Sequence, residues 1–389
     1  MRKIFLTAIA LLSMASASVF GMYGVDSGWI DFLTHGNQFR ARMQQLGFTL
    51  GNDTIKGTFG FNNNAGYGGV YGSLFSTADG MYYDFKPSIS MGLGYTSSLI
   101  SVGVGYSATL GPRLPKQNGK TEEKLVQQVA HTPVLVLNAM DNAFRMAIPI
   151  QVYAFNDKTP DGTKTSINLV SVDSQFRYYT GLDMLPQIRL YLRYGGGNYK
   201  VGTQSEKIGE TFGFDFRLYF GSMVEEVALQ PYVKLVYNGA LGKYHKNTRI
   251  EAVSVLTTGN FNIPNNLQLA KSAWNLNLVA GLGLTANSDI VSLYLEPSLG
   301  LKVTQAGSTD KNAKEVYSLG YGVYAEIYIT PLKNLEWYFE AEIGNLGGSG
   351  TYTTTDATGG GTTTHQVSFT KLGLGFNAST GITWYLPAL

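Results

Sequence analysis

The chain contains no cysteine among its 389 residues. Disulfide bonds, cysteine-ligated zinc, thiol catalysis and a lipid-modified N-terminal cysteine are therefore excluded. Charge is also scarce, at 14% of the residues. After the first twenty residues no apolar stretch approaches the length of a transmembrane helix, which needs about 20 residues. These absences argue against a lipoprotein and against a helical membrane protein.

Residues 1–17 have the pattern of a secretory signal peptide. Arg2 and Lys3 form a short positive region, residues 4–15 are apolar, and Ala15-Ser16-Ala17 provides small residues for signal peptidase. We expect cleavage after Ala17, with a cut after Gly21 as the second choice. Loss of Arg2 and Lys3 leaves 27 basic and 27 acidic residues, so the mature chain is formally neutral. A neutral chain gives no support to nucleic-acid binding, which favours a basic domain.

Glycine and aromatic residues are abundant, with 47 Gly, 25 Tyr and 20 Phe, and apolar side chains recur with a period of two. In the segment 335–343, for example, Leu335, Trp337 and Phe339 alternate with polar side chains. Alternating segments of about 10 to 15 residues are typical of transmembrane β-barrels, whereas strands of soluble β-proteins average about five or six residues. A soluble sandwich is the competing interpretation. Aromatic residues near the segment ends, as in interfacial girdles, favour an all-β, outer-membrane antiparallel barrel.

Short turns alternate with long polar connections along the chain, which predicts about 14 strands between residues 49 and 386. A further strand pair within residues 67–76 would give 16. Periplasmic turns of outer-membrane barrels are short and their surface loops are long. The turns are at 96–98, 140–142, 181–186, 221–226, 287–289 and 331–334; the loops are at 62–80, 111–130, 156–163, 195–209, 239–271, 305–315 and 345–366.

Residues 18–47 depart from this alternation and are predicted to form a helical leader before a barrel of residues 48–389. Six apolar residues have the spacing of one helix face, and Gly47 is suited to end a helix. Such a helix could plug the lumen as a hatch or lie in the periplasm; an irregular leader is the alternative. The hatch residues are Trp29, Phe32, Leu33, Phe39, Met43 and Leu46.

The polar positions of the strands place charged side chains on the predicted lumen face. A basic wall facing an acidic wall would produce a transverse field that favours small hydrophilic solutes. Alternatively, the charges pair across neighbouring strands, as Asp173 and Asp215 among the arginines suggest. The basic candidates are Arg145, Arg177, Arg189, Arg193, Arg217 and Lys234; the acidic ones are Glu296, Glu326, Glu336, Glu340 and Glu342.

The sequence gives little support to catalysis and predicts no cofactor and no metal site. The four histidines are scattered, and no nucleophile, base and orienting carboxylate recur at a recognisable spacing. We therefore expect a protein that is not an enzyme. The loop 239–271 includes an apolar stretch, 252–256, that could fold inward as a constriction or form a surface lid. The threonine- and glycine-rich loop 351–364 is expected to be mobile and exposed.

The N-terminal region resembles the variable surface proteins of intestinal spirochaetes. The similarity covers about the first 60 residues and rests on three stretches: residues 29–42 (WIDFLTHGNQFRAR), 45–48 (QLGF) and 51–57 (GNDTIKG). It implies an abundant, antigenically variable outer-membrane protein with no known enzymatic activity. The expected partners are outer-membrane lipid and small solutes, with host molecules or antibodies at the surface loops and a homo-oligomer as a further alternative. A hydrophobic-solute channel of the long-chain fatty-acid type and a host-binding adhesin are the alternatives.

Overall fold

The computed structural model describes an all-β protein in which every strand pairing is antiparallel. It describes residues 40–41, 45–51, 54–63, 87–97, 99–110, 129–158, 164–224, 227–243, 245–252, 268–332, 335–344, 350–355, 362–367 and 375–385. The described strands are β1 (Arg40–Ala41), β2 (Gln45–Gly51), β3 (Ile55–Asn63), β4 (Pro87–Tyr95), β5 (Ile100–Leu110), β6 (Val129–Ala139), β7 (Phe144–Lys158), β8 (Lys164–Tyr179), β9 (Gln187–Val201), β10 (Gln204–Tyr219), β11 (Ser222–Val224), β12 (Val227–Ala240), β13 (Trp274–Asn287), β14 (Val291–Gln305), β15 (Val316–Leu332), β16 (Leu335–Gly344), β17 (Gly350–Thr355), β18 (Thr362–Val367) and β19 (Gly375–Tyr385). Among the described residues, no helix is long and apolar enough to cross a membrane.

One 17-stranded sheet forms the wall of the molecule, and neighbours in the chain are generally neighbours in the sheet. The run of pairings extends from β2 through β16 to β19, with β11 paired on β12 beside the turn. The ends of the run meet on β1, where Arg40 pairs with both Gly47 of β2 and Tyr385 of β19. This link is two residues long on each side, so β1 joins the first and last long strands of the wall.

Thirteen of the 14 predicted strands correspond each to one strand of the wall, and the first corresponds to two. The segment predicted as one strand, 49–61, is divided into β2 and β3, which pair as a hairpin from Gly51↔Lys56 to Gln45↔Asn62. The sequence Asn52-Asp53 lies between them. Asn and Asp form turns readily because their side chains can hydrogen-bond to nearby backbone. The possible strand pair at 67–76 lies outside the described residues.

The sheet begins earlier in the chain than the predicted boundary at residue 48, and the helix prediction is wrong at its C-terminal end. Leu46 belongs to β2 and pairs with Ala41 on one side and Phe61 on the other. Leu46, Phe48 and Leu50 also alternate with a period of two, and pairing on both sides satisfies the backbone groups there. The remaining hatch residues, Trp29, Phe32, Leu33, Phe39 and Met43, lie outside the described residues, as does the predicted signal peptide.

Most short turns fall where the sequence predicts them, although β11 occupies 222–224 within the predicted turn 221–226. The long connection predicted at 195–209 is wrong. Strand β9 continues to Val201, and β10 begins at Gln204, so only two residues connect them. Gly202 makes this turn with φ +60°. The glycines at 195–197 lie inside the wall, paired with both β8 and β10. In the sequence these glycines indicate a loop, because glycine is rare in strand interiors.

The threonine-rich loop 351–364 also contains regular structure. Strands β17 and β18 pair from Gly350↔Val367 to Thr355↔Thr362 and form a separate two-stranded sheet. Threonine is β-branched and favours extended backbone, so a threonine run supports a hairpin as readily as an irregular loop. The segment predicted as a loop therefore contains a hairpin.

The two faces of the wall differ sharply in polarity. On one face large apolar side chains are exposed, as at Leu93 (58%), Val104 (57%) and Leu299 (55%). On the other, polar side chains are buried, as at Ser90 (5%) and Arg189 (0%). Side chains on the concave side of a curved sheet crowd one another, while those on the convex side diverge, so the polar face is the inner one. The predicted assignment of polar positions to the interior agrees with this distribution.

Candidate functional site

A row of five cations crosses the inner face on five neighbouring strands. Arg145 of β7 pairs in register with Arg177 of β8, and Arg177 pairs with Arg189 of β9. Arg189 in turn pairs with Arg217 of β10, and Arg217 pairs with Lys234 of β12. Like charges directly opposite one another in a sheet repel. The row therefore needs compensating groups close by.

Asp215 supplies negative charge at the centre of this row. Its carboxylate accepts two hydrogen bonds from Arg217, at 2.7 Å from Nε and 2.6 Å from Nη2. The nitrogens of Arg193 and Lys234 lie 3.7 and 3.9 Å from the same carboxylate. The Asp215 side chain is only 2% exposed. One buried acid therefore balances charge from three strands, as a paired interior requires.

Tyrosine rings provide the second kind of compensation. The guanidinium of Arg189 lies 4.7 Å from the ring centre of Tyr219, and that of Arg217 lies 4.8 Å from the ring of Tyr191. Arg145 similarly lies 4.9 Å from the ring of Tyr179. A cation over an aromatic face is attracted by the ring quadrupole, with about 0.5 to 2 kcal/mol of stabilisation.

Tyrosines also surround the carboxylates of β14 and β15. Glu296 accepts hydrogen bonds from the hydroxyl groups of Tyr232, at 2.6 Å, and Tyr294. Glu326, which is fully buried, accepts them from Tyr324 at 2.5 Å and Tyr328 at 3.0 Å. Each carboxylate thus has both oxygens solvated by phenols instead of water.

The other predicted acidic residues are on β16. Glu340 is directly opposite Glu326, Glu342 is opposite Tyr324, and Glu336 is opposite Thr383 of β19. Glu340 is buried, whereas Glu342 is exposed.

The basic and acidic groups occupy neighbouring stretches of the wall. The cations are on β7 to β12 and the acids on β14 to β16, with only β13 between them. The Tyr232–Glu296 hydrogen bond joins β12 to β14 across that strand. The transverse field between a basic and an acidic wall therefore stays a prediction, since the strand order gives no distance across the interior. Pairing within the basic group is real, as Asp173 and Asp215 show.

Part of the loop between β12 and β13 folds inward onto this face. Residues 245–252 lie against β8, β9 and β10. The backbone N–H of Ile250 donates to Thr211 Oγ1 at 2.9 Å, and that of Ala252 donates to Ser171 Oγ at 2.9 Å. Ile250 and Ala252 are buried in a cluster with four wall residues, which are Ala130, Tyr153, Leu169 and Ile208. We refer to residues 245–252 as the inner segment.

The inner segment extends the ion-pair network. Arg249 donates to Asp173 at 3.0 Å and lies 3.2 Å from Glu251. Asp173 also pairs with Arg193 at 3.3 Å, and Arg193 in turn lies 3.7 Å from the carboxylate of Asp215. The charges therefore alternate in sign from Glu251 to the basic row.

Two wall glycines make room for the inner segment. A Cβ atom on Gly195 would lie 1.8 Å from the backbone oxygen of Ile250, and one on Gly209 would lie 1.7 Å from Cδ2 of His245. Gly209 also has φ +128°, which L side chains rarely adopt. The glycines that indicate a loop in the sequence therefore leave the space into which the inner segment packs.

His245 anchors the start of the inner segment. Its side chain is 1% exposed, and Nε2 lies 3.1 Å from the backbone nitrogen and 3.0 Å from the backbone oxygen of Glu210. Burial lowers the pKa of the imidazole below its ordinary value, because the charged form loses its hydration; hydrogen bonds with the backbone of Glu210 and Asn247 partly oppose this. The neutral ring is therefore the form that fits the docked segment.

Sequence reasoning missed the tyrosines and most of the inner segment. Tyr191 lies between Arg189 and Arg193 on the same face of the strand. This spacing is a sequence signal for an aromatic partner of the two cations. Arg249 had no such signal, since its partner Asp173 is 76 positions away. Ala252 does fold inward, as the constriction alternative expected, whereas residues 253–256 lie outside the described residues. In the described part of the chain no group of three or more acidic or histidine side chains could hold a metal ion.

Comparisons with known proteins identify the family. The chain has no significant match among curated proteins. Among solved structures it is similar to OmpT, an outer membrane protein of Vibrio cholerae folded in vitro, at 10% identity over 90% of this chain and 96% of OmpT, with a TM-score of 0.35. The family model of the Serpulina hyodysenteriae variable surface protein matches residues 2–385. The resemblance of the N-terminal region thus extends along nearly the whole chain, which belongs to the variable surface protein family.

Proposed function

We propose that this variable surface protein is an exported, non-enzymatic protein of the outer membrane whose wall encloses an aqueous pore for small hydrophilic solutes. The observation that carries the proposal is the opposite polarity of the two faces of one continuous sheet. Apolar side chains are exposed outside, at Leu93, Val104 and Leu299, and charged or hydroxyl side chains lie inside. A contiguous exposed apolar surface of this extent is costly in water and suited to lipid.

The strand pairings support the same proposal. Backbone groups in a bilayer need internal partners, and the pairings from β2 to β19 supply them along the wall, with β1 linking β2 to β19 over two residues on each side. The long strands of the wall, such as the 15 residues of β9 and the 17 of β15, exceed the 9 to 11 or so that cross a bilayer at a typical tilt. Outer-membrane lipid would then be the partner of the outer face.

The inner face favours polar over apolar solutes. Arg193, Lys234 and Glu342 are not buried and present charge to the interior. An ion or small polar molecule can exchange its hydration for such groups, whereas an apolar solute cannot.

Single-channel recording in planar lipid bilayers tests the proposal. The full mature chain, purified in detergent, is expected to produce stable, uniform conductance steps in KCl. Protein unfolded before addition, in the same detergent, is the control and should produce none. Absence of steps from the folded protein would contradict the pore and leave the membership of the family untouched.

A further inference from the structure

Several observations indicate that the inner segment is docked on the inner face of the wall and is not a surface loop. Its two backbone donors, at Ile250 and Ala252, are satisfied by side chains of the wall, Thr211 and Ser171. Both wall hydroxyls are buried, at 3% and 4% exposure. A buried hydrogen-bond donor or acceptor that loses its partner is unfavourable. These hydrogen bonds therefore hold the inner segment in one position on the wall.

The inner segment also carries charge that remains open to the interior. The Arg249 side chain is 41% exposed and that of Glu251 is 27% exposed, although the residues on either side of Glu251, Ile250 and Ala252, are buried. Ile250 and Ala252 fix the backbone, whereas Arg249 and Glu251, at the alternate positions, stay partly exposed. Asp173, the wall partner of Arg249, is 23% exposed.

We propose that the inner segment stays docked while the pore conducts and that Arg249 and Glu251 determine its ion selectivity. This inference rests on the proposed pore and assigns the selectivity to specific residues within it. Charges on a segment folded into a pore act on passing ions when they lie within a Debye length of the path. Replacing Arg249 by a neutral residue makes the local charge more negative, because Glu251 and Asp173 remain. Replacing Glu251 makes the local charge more positive.

Ion selectivity tests the role of the charges. Reversal potentials in a KCl gradient are expected to shift towards cation selectivity for Arg249→Gln and towards anion selectivity for Glu251→Gln. Lys311→Gln is the matched control, because it removes one positive charge from an exposed position between β14 and β15. Equal reversal potentials in Arg249→Gln and Lys311→Gln would overturn the proposal. The wild-type protein must conduct for this comparison, so a silent wild type rejects the pore itself.

Disulfide trapping tests the docking independently of conductance. The natural chain has no cysteine, so an engineered pair can form only one intramolecular bond. Ser171→Cys with Ala252→Cys is expected to cross-link, since the two residues are in contact. Val170→Cys with Ala252→Cys is the control, because Val170 is the neighbouring residue of β8 on the outer face and its Cβ points away. Failure of the first pair to cross-link, or cross-linking of both pairs equally, would overturn the docking.

The trapped protein also tests whether docking persists during conduction. Conductance and selectivity of the cross-linked Ser171→Cys, Ala252→Cys protein are expected to equal those of the same protein after reduction. A change on reduction would overturn the proposal that the segment stays docked, because it would show that the untrapped segment moves while ions pass.

Discussion

At the scale of single residues, the interior of this protein is governed by how buried charge is compensated. Asp215 contacts Arg193, Arg217 and Lys234, and tyrosine rings lie over the arginines. The carboxylates of Glu296 and Glu326 are held by tyrosine hydroxyl groups. Buried charges are tolerated only when paired and hydrogen-bonded, since they have lost their hydration. The high tyrosine content therefore has a role at the inner face as well as at the strand ends.

Removal of the Asp215 carboxylate is expected to be strongly destabilising. Asp215→Asn should lower the free energy of unfolding by about 3 to 5 kcal/mol, because three cations lose their shared buried partner. Glu210→Gln is the control: the Glu210 and Lys207 side chains are 40% and 69% exposed, and such surface pairs contribute about 0 to 1 kcal/mol. Urea unfolding in detergent micelles measures both. Equal losses in the two variants would contradict the assigned role of Asp215.

A methyl group on Gly195 is expected to displace the inner segment. Its Cβ would lie 1.8 Å from the backbone oxygen of Ile250, and overpacking of this kind costs about 1 to 3 kcal/mol. Trypsin cleavage after Arg249 should accelerate by roughly 5- to 150-fold in Gly195→Ala, since 1.4 kcal/mol is tenfold. Gly94→Ala, on the same face with no atom closer than 3.9 Å, should cleave like the wild type. Unchanged cleavage of Gly195→Ala would argue against the close approach.

At the scale of elements, the inner segment shows how a connection becomes part of the interior. It leaves the end of β12, contacts the glycine-containing parts of β9 and β10, and precedes β13. Larger residues at positions 195 of β9 and 209 of β10 would collide with the inner segment. Glycine at these two positions is therefore explained by the close approach of the Ile250 backbone to Gly195 and of the His245 ring to Gly209.

The docking of the inner segment is expected to weaken as pH falls below about 6.5, the ordinary pKa of histidine. The pKa of His245 is lowered by burial, so the undocked segment takes up a proton at a higher pH than the docked one. Docking is thus fully stable above about 6.5 and loses stability on acidification until the lowered pKa is reached. Mobility of a nitroxide on Lys246→Cys should rise over this range.

His245→Gln in the labelled protein is the control for the pH dependence. Glutamine retains an amide that can hydrogen-bond to the backbone of Glu210 but does not titrate. The nitroxide should then show the same mobility from neutral to mildly acidic pH. A pH-dependent change as large as with His245 would assign the effect to another group.

At the scale of the whole molecule, the order of the strands determines which connections lie at each end of the wall. The connections at one end of the wall are short, as at 180–186 and 288–290, whereas the other end has long ones, such as 306–315, together with the two-residue turn between β9 and β10. In an outer-membrane protein the long connections face the exterior of the cell.

Epitope tags test this orientation. A tag inserted after Lys311, which is exposed between β14 and β15, is expected to bind antibody on intact cells. A tag after Asp183, exposed between β8 and β9, should bind only after the outer membrane is permeabilised. Binding to the Asp183 tag on intact cells would reverse the orientation.

The sequence by itself determined the class of fold, most strand positions and the polarity of the two faces. These follow from local rules, since alternation with a period of two places successive side chains on opposite faces of a strand. The sequence was misleading where a local signal has two meanings, as at Gly195, which suggests a loop but fits a close approach, and at Leu46, whose helical spacing coexists with alternation. Only the tertiary structure decided that the basic and acidic groups are neighbours and that Arg249 reaches Asp173. Those relations depend on strand order and register, which bring together groups far apart in the chain.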